Sequence, residues 1–143
     1  MQAFKAFAVL TVSLCCFSSV SYAFPRCVKD DWGTFKCSAQ PGGGAVVDGW
    51  GTAQCGLGEC VKDSWGSAKC SDVAYGGAIV DSWGSAKCGA GECVLDDWGS
   101  ASCASVQGGF AYKDDWGQAR CEGGCTSGYS CASGSTSLCT TRN

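Results

Sequence analysis

Histidine is absent from this 143-residue chain. That excludes serine–histidine and cysteine–histidine nucleophilic catalysis. Asparagine occurs once, at Asn143, so no N-glycosylation sequon exists and glycine alone must serve the left-handed turn positions. Large apolar side chains are scarce: beyond residue 23, Val, Ile, Leu and Phe total 15. A composition that poor in core-forming residues predicts disorder unless something else holds the chain. Basic runs are also missing, which argues against nucleic acid and anionic membrane surfaces as partners. Beyond residue 23 there is no apolar run long enough to span a membrane, and the polar end Thr140-Thr141-Arg142-Asn143 excludes a lipid-anchor tail.

What the chain does have is cysteine, glycine and tryptophan: 14, 22 and 6 residues respectively. Residues 1–23 read as a secretory signal peptide. Lys5 gives the positive start, residues 6–20 the apolar stretch, and Ser21-Tyr22-Ala23 a small-x-small cleavage site. Cys15 and Cys16 leave with it, so 12 cysteines remain in residues 24–143. In an exported protein that density predicts a disulfide scaffold. Without Lys5, nine basic residues stand against 13 acidic ones, a net charge of −4. The expected location is extracellular.

The tryptophans expose a repeat. Trp32, Trp50, Trp65, Trp83, Trp98 and Trp116 all lie in the motif V-x-D-x-W-G-[ST]-A-x-C or a close variant, at spacings of 18, 15, 18, 15 and 18. The period is therefore 33 residues, with two unequal halves in each. In the first half, cysteines flank the tryptophan at five residues on either side: Cys27 and Cys37, Cys60 and Cys70, Cys93 and Cys103. In the second half, Ala45, Ala78 and Ala111 replace the leading cysteine.

D-x-W-G has the chemistry of a tight turn. The aspartate accepts from backbone N–H groups just ahead, and the glycine takes the positive-φ position of a bulge. Counting outward from it, Lys62 opposes Ala68, Val61 opposes Lys69 and Cys60 opposes Cys70. The flanking cysteines then meet at a close, non-hydrogen-bonded pair, which favours the bridges Cys27–Cys37, Cys60–Cys70 and Cys93–Cys103. A rival scheme links Cys55 to Cys60 and Cys88 to Cys93 across the short connectors, and spacing alone leaves both open.

The predicted architecture is all-β: three tandem 33-residue repeats of two β-hairpins each, at 27–59, 60–92 and 93–121. It closes with pseudo-threefold symmetry, as prisms and trefoils do, or runs on as an open solenoid. Residues 122–143 break the period. Holding Cys125, Cys131 and Cys139 in Gly/Ser/Thr-rich sequence, they read as a cysteine-rich C-terminal cap with at least one bridge returning to the repeats.

For function, the D-x-W-G tips are the main candidate. Six aromatic platforms beside carboxylates suit non-enzymatic glycan binding, with the tryptophans stacking on sugar rings. The variable residue before each tryptophan, acidic at Asp31, Asp97 and Asp115, is where binding would be tuned. Repetition would supply avidity. The competing expectation is architectural: the aspartates cap their own turns and the tryptophans supply the missing core. On that reading the protein is a disulfide-armoured structural, defence or host-interaction protein. No metal site and no cofactor are expected, since no calcium-loop pattern occurs and an oxidising compartment disfavours zinc on these cysteines. Oligomeric state is left open.

Overall fold

Every aspartate-to-glycine tetrad folds the chain back on itself. In the computed structural model, which describes residues 26–142, six hairpins follow one another. They pair β1 (Cys27–Lys29) with β2 (Phe35–Ser38), β3 (Ala45–Val47) with β4 (Ala53–Cys55), and β5 (Cys60–Lys62) with β6 (Ala68–Cys70). Then come β7 (Gly77–Val80) with β8 (Ala86–Gly89), β9 (Cys93–Leu95) with β10 (Ala101–Ala104), and β11 (Ala111–Lys113) with β12 (Ala119–Cys121). The register in hairpin three sets Cys60 against Cys70, Val61 against Lys69 and Lys62 against Ala68. No α-helix occurs among the described residues, and no helix is long and apolar enough to cross a membrane. The signal-peptide reading of residues 1–23 lies outside the described residues.

The hairpins stack in chain order, β1 against β3, β3 against β5, and so on to β11. Their shared interior is sulfur and methyl groups. Ala45, Ala53, Ala68, Ala78, Ala86 and Ala111 are buried, and Cys55, Cys70, Cys88 and Cys103 are all but sealed from solvent. Small side chains let adjacent hairpins approach closely, which explains how a chain with so few Leu and Ile still makes a core. Cys27–Cys37, Cys60–Cys70 and Cys93–Cys103 are bridged within hairpins, with Cα atoms 3.9, 4.0 and 4.0 Å apart.

The tail takes the form of a strap. It turns at Gly123 and Gly124, then runs back along the whole stack. β13 (Cys125–Ser127) pairs with β10, β14 (Tyr129–Ser130) with β8 and β15 (Ala132–Ser133) with β6. Ser135 bridges to Cys55, and after a 3-10 turn at Thr136–Leu138, β16 (Cys139–Arg142) pairs with β2. Three disulfides fasten it: Cys121–Cys125, Cys88–Cys131 and Cys55–Cys139. So Cys55 and Cys88 bond to the tail and not to the nearby Cys60 and Cys93.

The strap follows its own period of three. The triplets Cys125-Thr-Ser, Gly128-Tyr-Ser, Cys131-Ala-Ser and Gly134-Ser-Thr each advance it by one hairpin. The middle residue of each faces the second-strand cysteine of its hairpin: Thr126 with Cys103, Tyr129 with Cys88, Ala132 with Cys70, Ser135 with Cys55. The first residue must be small where the strap crosses to the next hairpin. There the N–H groups of Gly128, Cys131 and Gly134 donate to the carbonyls of Ala101, Ala86 and Ala68.

Hairpin six ends the stack by a local change of sequence. Gly44 and Gly77 start hairpins two and four, and the following hairpin packs directly on them: a Cβ at either would lie 2.9 Å from the backbone nitrogen of Cys60 or Cys93. The equivalent residue in hairpin six is Phe110, which is exposed and stacks on Tyr112 at 6.3 Å between ring centroids. A further hairpin in the same pose would collide with it. Such departures from the repeat are expected at the end of an array.

Candidate functional site

The six turns are built alike. Asp30, Asp48, Asp63, Asp81, Asp96 and Asp114 each place Oδ1 where two backbone N–H groups reach it, that of the tryptophan two residues on and that of the residue four on. At Asp63 these bonds measure 3.0 and 2.9 Å. The turn glycines all hold φ between 77° and 84°, a region that a Cβ disfavours. The aspartates thus cap their own turns.

Consecutive tips are tied to one another. The residue before each tryptophan donates its N–H to the carbonyl of the next tip's glycine: Asp31 to Gly51 at 3.1 Å, Gly49 to Gly66 at 2.8 Å, Ser64 to Gly84 at 3.1 Å, Ser82 to Gly99 at 3.1 Å and Asp97 to Gly117 at 3.0 Å. Backbones bonded side by side in this way run about 5 Å apart. The tips therefore form one ladder along an edge of the stack, and each indole leaves it from the same backbone position.

All six indoles are in solvent. Trp32, Trp50, Trp65, Trp83, Trp98 and Trp116 are 72, 70, 68, 67, 70 and 81% exposed. This overturns the expectation that the tryptophans supply the missing core. The physical reason is position: they stand at the hairpin apex, beyond the last strand pair, where no neighbouring side chain can cover them. Six large aromatics in a row make an apolar edge of a kind that usually marks an interaction site.

Asp31, Asp97 and Asp115 lie exposed in the same ladder. The carboxylate of Asp31 rests against Gly51 and that of Asp97 against Gly117. Asp97 also pairs with Lys113 at 2.9 Å, a half-exposed contact that contributes little to stability. The six bridged cysteines singled out from spacing sit away from this edge and serve the scaffold.

Two further features mark the edge. Lys29, Lys62 and Lys113 are exposed three residues before the tryptophans of hairpins one, three and six. A cleft of about 430 Å³ opens beside Trp83, lined by Asp81, Lys87 and the strap residues Ser127 and Gly128. The lysines are visible in the sequence at a constant offset, but the cleft exists only because the strap crosses there.

Electrostatics around the turns follow their bonding. Burial would raise the Asp48 carboxyl, but the N–H groups of Thr52 and Trp50, the Gln54 amide and the Lys62 charge together hold it below its ordinary value. Asp114 is lowered by the Gln118 N–H and by Arg120, whose Nε donates to Oδ2 at 2.8 Å. Glu59 moves the other way. Half-buried between repeats, it is raised chiefly by desolvation and further by the Glu92 charge, although the Ala78 N–H donates to it at 3.0 Å. Among the described residues no group of three or more Cys, Asp or Glu is placed to hold a metal ion.

Comparison with known proteins adds no analogy: neither a family model, nor a curated protein, nor a solved structure matches the chain.

Proposed function

We propose that this is a secreted, non-enzymatic binding protein that takes a glycan along its tryptophan ladder. One observation carries the reading: all six indoles are solvent-exposed on tips joined into a single hydrogen-bonded row. Exposed aromatic faces offer apolar area at low entropic cost, and a row of weak, equivalent contacts gives avidity to a repetitive ligand. The tips follow one another in a row, which suits an extended chain lying across them. A disulfide-dense scaffold fits an oxidising, extracellular setting.

The test is direct. Intrinsic fluorescence should shift on titration with soluble oligosaccharides, and the protein should be retained by insoluble polysaccharide. Replacing Trp65 and Trp83 together by alanine should weaken retention while the circular dichroism stays unchanged. Unaltered emission and no retention across a broad glycan panel would reject the proposal.

A second reading keeps the protein as disulfide armour with a defence or host-interaction role. What favours it is that every motif aspartate gives an oxygen to its own turn and all twelve described cysteines are consumed in bridges. Growth-inhibition and protease-inhibition assays with the Trp65/Trp83 variant separate the two, because on this reading the tryptophans are dispensable.

A further inference from the structure

The ladder is charged as well as aromatic. Its six turn aspartates, with Asp31, Asp97 and Asp115, put nine carboxylates on the edge against five cations, Lys29, Lys62, Lys87, Lys113 and Arg120, a net charge of −4. Turn bonding uses one oxygen of each turn aspartate. Among the described residues the second oxygen has a donor at Asp48, from Gln54 Nε2, and at Asp114, from Arg120 Nε. Those of Asp30, Asp63, Asp81 and Asp96 have none. The strand cations nearest the ends are already engaged, Lys36 with Thr141 and Arg120 with Asp114. Among the described residues the one cation seated on a ring is Lys29, over Phe35 at 5.8 Å, so the indole faces are left to an outside partner.

An exposed tryptophan beside a carboxylate is the pairing that best receives an ammonium group. The ring face attracts the cation through its quadrupole, and the carboxylate completes the pair. A polyanion would meet the same edge at a loss. Resting on the reading of the ladder as a glycan-binding face, we infer that its ligand is a linear glycan bearing free amino groups, held by ammonium–indole and ammonium–carboxylate contacts repeated from tip to tip.

The experiment compares glucosamine hexamers with free amines and the same hexamers fully N-acetylated, by tryptophan fluorescence at low salt. The free-amine hexamer should bind about tenfold tighter, since several weak contacts add along the row. The preference should collapse at about 0.5 M salt, where charges are screened within a few ångströms. It should also shrink in a variant carrying Asp31→Asn and Asp115→Asn, which leaves the turn bonds intact. Equal binding of the two hexamers would overturn the inference and leave the glycan reading standing. Binding of neither, nor of any neutral glycan, would sink both. Polylysine competing as well as the free-amine hexamer would overturn the sugar part of the inference, making the edge a receptor for polycations at large.

Discussion

Cys139 bonds to Cys55, 84 residues earlier in the chain, and so fastens the end of the strap to the second hairpin. Its companion, Cys88–Cys131, closes 43 residues. The in-hairpin bridges close 10 residues each. In the chain-entropy account a longer loop constrains the unfolded state more. These two long-range bridges are then worth about 4 to 4.5 kcal/mol each and the hairpin ones about 3 kcal/mol. Replacing Cys55 and Cys139 together by alanine should therefore cost more than replacing Cys60 and Cys70. Denaturant unfolding of the two double variants without reductant measures this; an equal or reversed order would mean that hairpin geometry, not loop closure, dominates.

The exposure of the indoles makes a prediction about stability that is independent of any ligand. Trp65 is 68% exposed, so Trp65→Ala should move the unfolding free energy by no more than about 0.5 kcal/mol. In the folded protein, emission should sit near that of indole in water and be readily quenched by acrylamide. A loss of 2 kcal/mol or more, or blue-shifted and protected emission, would return the tryptophans to the core.

Its neighbour Asp63 should behave in the opposite way. Asp63→Ala leaves the N–H groups of Trp65 and Ser67 without their shared acceptor, and should cost about 1 to 3 kcal/mol. Asp63→Asn keeps an oxygen at the same place and should cost less. Thermal unfolding of the two variants distinguishes capping from a mere charge effect, since both lose the charge and only one loses the acceptor.

These contrasts mark what the sequence could convey. The hairpins are legible because Asp and Gly sit at fixed offsets where only one turn geometry satisfies both. Counting from Trp65 then places Cys60 against Cys70. The alternation of apolar and polar residues assigns strand faces, but an apex residue belongs to neither face, so the fate of Trp65 is invisible to it. The strap is hidden for a different reason. Its period is three, marked only by Cys125, Gly128, Cys131 and Gly134, too short and too poor in side chains to announce pairing with residues up to 80 positions away. Termination at hairpin six was there to be read, as phenylalanine at 110 where residues 44 and 77 are glycine. Its meaning needs the close approach of hairpins to be known first.

Acid should act on the fold in two opposed ways. Glu59 is raised in the folded state, so the folded chain holds its proton more tightly than the unfolded one. Stability from this group then falls as pH rises from 4.5 through the raised value. Asp48 and Asp114 are lowered, so their contribution is full well above 3.8 and is lost as pH falls through their folded values. Together these groups favour a stability maximum at about pH 4 to 5. Glu59→Gln, which retains an acceptor for the Ala78 N–H, should flatten the alkaline side of the melting-temperature profile and leave the acid side in place. An unchanged alkaline slope would show that Glu59 is solvated in the folded protein.

The long linkers supply a controlled test of the packing between repeats. Gly42, Tyr75 and Gly108 occupy equivalent places 33 residues apart, and all three have positive φ, at 75°, 63° and 70°, so the expectation that glycine alone serves the left-handed positions fails at Tyr75. Tyr75 donates its N–H to the Gly42 carbonyl at 3.1 Å, and Gln107 Nε2 reaches the Ala74 carbonyl at 2.8 Å, so the three linkers are bonded in sequence. An alanine at 42 or at 108 pays the same left-handed strain, about 1 to 2 kcal/mol. The two differ in what the new methyl meets. At Gly42 it lies 2.8 Å from the Tyr75 backbone nitrogen, which cannot move without breaking the bond between linkers; at Gly108 it lies 3.4 Å from the Tyr75 Cβ, an ordinary contact. Gly42→Ala should therefore be worse than Gly108→Ala by about 1 to 3 kcal/mol, the usual cost of overpacking a rigid site. Urea midpoints of the two variants give the difference with the backbone strain cancelled. Equal midpoints would mean that the linkers do not press on one another and that the repeats are held by hairpin stacking, the tip ladder and the strap.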